Sequence, residues 1–537
     1  MTFVFLACVS VAPGSSTVEV LLPKGRVLGR LGIVTRSGRI IHSFLGIPYA
    51  EPPVDALRLR DPVPKQPWTG VLNATVNGPQ CPQKNVYTLH AKFETVGQED
   101  CLHLNVYTPE VISEPKYPVM VYIHGGSFQQ GSNYRYIYGP EFILDKNVVL
   151  VTINYRLAAL GFLSLGDDVL PGNSGLKDQA LALQWVSENI KFFGGNHDLV
   201  TLFGDSAGAA RLFHRAISMS GTGLCPWAMI PQPQARDRAR AFAALVGCPT
   251  EPSVAVLECL QITPLEAILE AQLKFYEWLF LPVVVFGPVI ENGTNGFLVT
   301  NPRTDPPESA VPWIAGISSG EGGVVASALF SRAPRYIEEL QLAPDWILPV
   351  LLTLRSRFAR SELPVIAEQV KQFYFGDSRI DASKIPEFID MVTDNWFMFG
   401  SMSAATKWGS PSYFYYYDYQ TSRSYNEIFG NGSIKSVSHS DILLNLFPLT
   451  AYFRDRVMTE EEKIVSHRIV NLWTDFASGA VWGVKENDWQ PVKSDSAINY
   501  LYIGKDEPVM KENLLRDRYQ FWRALEELET GKLTVII

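Results

Sequence analysis

The sequence predicts an α/β fold, a large and mostly parallel twisted sheet with helices on both faces, on three observations. Residues 117–123 (YPVMVYI), 148–155 (VVLVTINY) and 199–203 (LVTLF) are short, almost continuously apolar runs rich in Val, Ile and aromatics, the pattern of strands buried on both faces. A strong helix pattern, Gly175 to Phe193, lies between the last two and carries Leu176, Leu181, Leu183, Trp185, Val186 and Ile190 on one broad stripe. The alternation of strand, helix and strand asks for crossover helices that cover the sheet. Further strands are expected at 215–219 (RAISM), 312–318 (PWIAGIS), 412–419 (SYFYYYDY) and 497–503 (AINYLYI). The last long helix is expected from Glu512 to Glu529.

Composition narrows the function classes. The net charge of −9 argues against a nucleic-acid partner, which needs a basic face. With 47% apolar and 19% charged residues the chain is not disordered. The 29 Phe, 22 Tyr and 12 Trp suffice for a large core and an aromatic pocket besides. At roughly 150 residues per domain, 537 residues suggest three or four domains. No Gly/Ser-rich or charged linker divides the chain and no internal repeat is present, so residues 17–537 read as one elaborated domain.

The apolar run Phe3 to Ala12 is too short for a bilayer, which needs about 20 residues, and suits the core of a signal peptide over residues 1–16. No positive charge precedes it, and Pro13 opposes cleavage directly after Ala12; the alternative is a buried N-terminal strand. No later apolar run reaches membrane length and the C-terminus is too short for an anchor-addition tail, so a secreted product without a membrane anchor is expected. Of the six cysteines, Cys8 would leave with the signal and Cys225 would remain as a buried thiol. Cys81 and Cys101 flank a 19-residue polar loop and Cys248 and Cys259 a 10-residue one, good closures for a secreted protein, although spacing alone leaves the pairing open. Asn73, Asn292 and Asn431 begin glycosylation sequons.

The chemistry is concentrated in two glycine-rich turns. Leu199 to Ala210 (LVTLFGDSAGAA) is a strand followed by G-x-S-x-G, the signature of a strained strand-to-helix turn that exposes a nucleophilic serine, here Ser206. Tyr122 to Phe128 (YIHGGSF) runs from a strand end into consecutive glycines, whose backbone N–H groups can face a developing oxyanion. Either turn alone is common; both together are not.

With these motifs the chain resembles the type-B carboxylesterase/cholinesterase family of α/β-hydrolases, insect members most of all. The resemblance also rests on FLGIPYAEPPV (44–54), EDCLHLNVYTP (99–109), INYRLAALGFL (153–163), GNSGLKDQALALQWVSENIKFFGG (172–195) and FHRAISMSG (213–221). It implies an α/β-hydrolase fold, ester hydrolysis through an acyl-serine, and disulfides Cys81–Cys101 and Cys248–Cys259. It implies the triad Ser206, Glu321 and His439, with Glu321 from GISSGEG (316–322) and His439 from the loop KSVSHSDILLNLF. The other late histidine, His467, lies in an apparent helix from Glu460 to Phe476 and reads as a surface or packing residue. Oxyanion donors would come from the Gly125–Gly126–Ser127 turn and from Ala207. The implied chemistry needs no metal or cofactor, and the implied partner is a small apolar ester.

Three departures qualify the resemblance. The Cys81–Cys101 loop contains no Trp, so the cation–π site that cholinesterases place there is missing. The elbow carries Asp205 where juvenile hormone esterases usually carry Gln. Only Ala207 to Leu212 separate Ser206 from Phe213, about a dozen residues fewer than in relatives, whereas a parallel crossover ordinarily takes roughly 10–12 residues or more. The crossover helix after the nucleophile is therefore expected to be truncated, the elbow poorly supported and the activity lowered. The competing reading is a non-catalytic binding or adhesion protein on the same fold, as in neuroligin-type relatives, which typically lose the nucleophile.

Overall fold

The computed structural model describes residues 16–85, 94–112, 114–206, 214–292, 296–305, 311–332, 335–479, 483–484, 487–493 and 498–531. The expected signal segment lies outside these residues apart from Ser16, and so does the connection 207–213 with Ala207 and Gly208.

Thirteen strands among the described residues form one sheet. Its centre is parallel, with neighbours in the order Val149–Ile153, Tyr117–Ile123, Gly195–Asp205, Arg215–Met219, Trp313–Ser318, Ser412–Tyr417 and Tyr500–Ile503. These are the strands that the apolar runs predict. The flanks differ from the expected parallel sheet. Thr17–Leu22, Gly25–Val34, Ile40–Pro48 and His103–Thr108 add antiparallel on one side, and Val509–Lys511 on the other. The burial of Thr17–Leu22 alternates, as on a half-covered antiparallel edge, whereas His103–Thr108, next to the parallel centre, is buried throughout.

Both faces of the centre are buried. Val119, Val121 and Leu202 face one core together with Trp185, Val186 and Ile190 of the helix Ser174–Asn189 and the turn after it. Met120, Tyr122 and Phe203 face a second core with Val465, Ile469 and Trp473 of the helix Glu460–Ser478. That helix begins in a capping box, with Thr459 and Glu462 satisfying each other's end groups. The predicted C-terminal helix is Arg516–Glu529.

Helices the sequence reading does not anticipate fill 232–272 and, between Trp313–Ser318 and Ser412–Tyr417, the stretch 323–407. Most are short, Pro233, Pro344, Pro364 and Pro386 sit in first turns, and the run Ile385–Lys407 is interrupted by a π-helical turn at Asp394–Met398. Such brevity breaks the helical period that a long window detects. No helix among the described residues is long and apolar enough to cross a membrane.

The chain runs from Tyr117–Ile123 to a neighbour on one side and from Gly195–Asp205 to a neighbour on the other. A crevice opens at such a switch point, beyond the carboxyl ends of the strands. Ser206 and the Gly125–Ser127 turn follow these two adjacent strands directly. Despite the short connection, Gly195–Asp205 and Arg215–Met219 pair in parallel over five rungs, from Thr201↔Arg215 to Asp205↔Met219. The return is short because Arg215 registers with Thr201 rather than with the beginning of the eleven-residue strand. The five rungs span four spacings of about 3.3 Å, so the chain regains about 13 Å.

Candidate active site

Ser206 ends the central strand with φ +63°, a left-handed conformation that costs a non-glycine residue roughly 1 kcal/mol or more. Its N–H donates to Met219 O at 2.8 Å, so sheet pairing continues through the serine and fixes its backbone. Two glycines outside the pentapeptide crowd it. A Cβ at Gly221 would lie 2.0 Å from Ser206 O, and one at Gly125 would lie 3.1 Å from the serine Cβ. Only residues without side chains fit there, which explains both the glycine after RAISMS and the first glycine of YIHGGSF.

Glu321 stands in the turn after Trp313–Ser318 and is fully buried. One carboxylate oxygen accepts from Ser220 Oγ at 2.5 Å and Ser318 N at 2.6 Å. The other meets His439 Nδ1 at 2.7 Å. Gly320 N donates to Val437 O at 2.9 Å and ties the glutamate turn to the histidine loop. That loop is held from below by Asp441, which accepts from Ser438 N, Tyr425 N and Ser424 Oγ, each at 2.8 Å. Burial pushes the Asp441 carboxyl up to about 7. The imidazole of His439 stacks on Phe397 with centroids 4.4 Å apart. Burial acts to depress its basicity, but Asp205, Glu321 and Asp441 outweigh burial and hold it above its ordinary value. Among the described residues Ser206 Oγ makes no hydrogen bond to His439. Such a link often tightens only when substrate binds.

Asp205 is buried beside the histidine and accepts from Ser440 Oγ at 2.5 Å through one oxygen. Its other oxygen has no partner among the described residues. Burial raises the carboxyl to about 6, while His439 and Ser440 draw it back down.

On the opposite side, the turn after Tyr117–Ile123 carries three successive positive φ values, at Gly126 (+119°), Ser127 (+57°) and Phe128 (+57°). A Cβ at Gly126 would lie 2.0 Å from Gln130 O, so the loop closes tightly on itself. The N–H groups of Gly126 and Ser127 find no acceptor among the described residues, as donors awaiting an oxyanion would. His124 stacks on Tyr155 at 4.6 Å, its Nδ1 is 2.9 Å from Gly125 O, and burial lowers it to about 4, leaving it neutral.

Of the three residues that the resemblance implies as a triad, Glu321 and His439 are hydrogen-bonded to each other, and Ser206 directly follows the strand Gly195–Asp205. His467 is exposed on its helix, 3.2 Å from Arg36. Ser220, Ser318, Ser440 and Gly221 are missed, since no motif marks a residue that acts by contact across the fold. Phe275 packs against the core on Phe242 and Phe286, whereas Phe397 reaches the site. Cys81–Cys101 and Cys248–Cys259 are disulfides and Cys225 is a buried thiol. Asn73, Asn292 and Asn431 are exposed.

The family model described as "Carboxylesterase family" matches residues 16–522. The chain is 36% identical to Esterase FE4 of Myzus persicae, over 92% of this chain and 90% of the relative. It is 32% identical to the juvenile hormone esterase of Tribolium castaneum, over 94% and 93% of the two chains. The crystal structure of juvenile hormone esterase from Manduca sexta, with OTFP covalently attached, superposes with a TM-score of 0.82 at 27% identity, covering 95% of this chain and all of that one. The strand order, the crevice and these similarities agree that the chain belongs to the carboxylesterase family, serine hydrolases of carboxylic esters.

Proposed function

We propose that Ser206, His439 and Glu321 act as the triad of this esterase in one catalytic domain, residues 17–537, on small apolar esters. The observation that carries the reading is the 2.7 Å bond from His439 Nδ1 to a Glu321 carboxylate that Ser220 and Ser318 hold in place. It leaves Nε2 as the ring nitrogen available to the serine. His439 takes the Ser206 proton as the oxygen attacks the ester carbonyl, and Glu321 stabilises the resulting imidazolium. Backbone N–H groups at Gly125, Gly126, Ser127 and Ala207 receive the oxyanion. His439 then protonates the departing alcohol and activates water to release the acid. Phe397 against the imidazole, and the Phe128–Phe162 pair at 5.0 Å beside the oxyanion turn, favour an apolar acyl group.

Secretion and glycosylation form part of the same proposal. They are supported by two disulfides, stable in an oxidising compartment, and by three exposed sequon asparagines. The short 207–213 connection is expected to lower turnover, because little chain remains behind the elbow. Labelling with a fluorophosphonate tests the nucleophile: covalent modification absent from Ser206→Ala supports the triad, and labelling retained by that variant overturns it. Hydrolysis of a short p-nitrophenyl ester tests the connection. Turnover equal to that of full-length relatives would show that seven residues suffice.

A further inference from the structure

The oxyanion turn is gripped from outside by a residue with no role in the triad. Gly131, five residues beyond Gly126, has both backbone groups bound to the side-chain amide of Gln83. Gly131 N donates to Gln83 Oε1 at 2.8 Å, and Gln83 Nε2 donates to Gly131 O at 2.8 Å. The same Nε2 reaches Cys81 O at 3.0 Å, and the side chain is buried. A primary amide that donates to and accepts from the backbone of one residue reproduces a rung of a β-ladder and fixes direction as well as distance.

Gly131 transmits that grip. Its φ is +126°, and a Cβ there would lie 2.2 Å from His124 Nδ1 and 2.7 Å from Gly125 O. Gly126 O accepts from Gln129 N and Gln130 N at 2.9 and 3.1 Å. With the loop this tight, Gly131 cannot shift without displacing Gly125 and Gly126. Gln83 is itself held firmly. It follows Cys81 of the Cys81–Cys101 disulfide and pairs with Val96 across the loop. Its neighbour Lys84 binds Glu266 at 2.8 Å and Glu270 at 2.6 Å on the helix Leu265–Gln272.

We propose that Gln83 is a positioning residue for the oxyanion turn, its amide clasp on Gly131 setting where the Gly126 and Ser127 N–H groups point. The proposal rests on the serine-esterase reading above. Backbone donors stabilise the tetrahedral intermediate only where its oxygen forms, so a loosened clasp weakens the transition state and leaves substrate binding largely intact.

The test uses the full-length, disulfide-intact protein with Gln83→Met, similar in length but without the amide, and Gln83→Glu. For Gln83→Met, kcat on a p-nitrophenyl ester is expected to fall about tenfold or more with KM within about twofold, as misplacement of a group near the chemistry does. Affinity for a trifluoromethyl ketone, which forms the tetrahedral adduct, should fall in parallel. Gln83→Glu supplies the signature that a merely structural role would not give. A neutral carboxyl offers C=O and O–H where the amide offers C=O and N–H, whereas a carboxylate offers no donor to Gly131 O. The ratio of its kcat to wild type should therefore rise as pH falls from 7.5 to 5. A flat ratio, or a Gln83→Met kcat within twofold of wild type at an unchanged melting temperature, overturns the proposal. If Gln83→Met folds poorly, the Gln83→Glu ratio decides. Fluorophosphonate labelling of wild type in the same preparations separates the two readings: failure to label Ser206 overturns both, and labelling with unaltered kinetics overturns only the role of Gln83.

Discussion

The two sides of Ser206 are built from different materials. On one side the histidine arm is made of side chains: Glu321 meets His439, Ser220 and Ser318 hold Glu321, and Asp205 takes Ser440. On the other the oxyanion arm is made of backbone: Gly125 in close contact with the elbow and Gly126, Ser127 and Phe128 at positive φ, held by absent side chains and by one amide clasp. The first arm works by stabilising charge on the imidazole and the second by position alone. Substitutions on the histidine arm should move pH profiles, and substitutions on the oxyanion arm that introduce no titratable group should change rates at every pH alike.

The largest effect of the two arms is expected at Glu321→Gln. The loss of the anion that orients His439 should lower kcat by about 10⁴, measured with a p-nitrophenyl ester. A loss below tenfold would show that Ser220 and Ser318 hold the loop without the charge.

Gly126→Ala ranks next. Its Cβ would fall 2.0 Å from Gln130 O at a φ of +119°. The expected loss is about 10²–10³ in kcat, equal at pH 6 and pH 8, as for a lost oxyanion donor. A loss that varies with pH would erase the proposed division between the arms.

A smaller and diagnostic effect is expected at Asp205→Asn. Asp205 raises His439, so its neutralisation should move the acid limb of kcat/KM to lower pH. Stability should move the other way. The folded carboxyl, raised by burial to about 6 from an ordinary 3.8, binds its proton more tightly than the unfolded chain does. Its cost to stability is absent below about pH 4 and complete above pH 6. The asparagine variant should therefore be more stable than wild type at pH 7.5, by no more than about 3 kcal/mol in thermal or denaturant unfolding, with no gain at pH 4. An equal gain at both pH values would place the effect in packing.

Ser440→Ala should be mildest, since it removes one hydrogen bond to a charged group, worth about 1.5–3 kcal/mol, and leaves the Asp205 charge in place. Thermal melts and a pH profile together check that it lowers stability more than activity.

The same contrast governs what was legible in the sequence. The sheet centre is readable because strands buried on both faces are written as continuous apolar runs, YPVMVYI and LVTLF among them. Ser206, Glu321 and His439 are readable because each stands in a local motif with a fixed chain order. The helices of 323–407 are not, because segments of 5–13 residues, three of them started by proline, never establish a period. Nor are Gln83 and Gly221, which act on segments far along the chain through contacts that leave no local pattern. The short connection after Ser206 is legible as a residue count, but the register of the next strand is not: nothing local tells that Arg215 lies beside Thr201, in the middle of the longer strand.

The hydrogen bond from Ser206 N to Met219 O has one more consequence. The nucleophile's own amide belongs to the sheet ladder and is not free to receive an oxyanion. Its proton should exchange with solvent only when the strands Gly195–Asp205 and Arg215–Met219 separate, and so at the rate of strand interiors rather than of loops. Deuterium uptake at this one amide therefore reports whether the elbow is assembled, even in variants whose chemistry is dead.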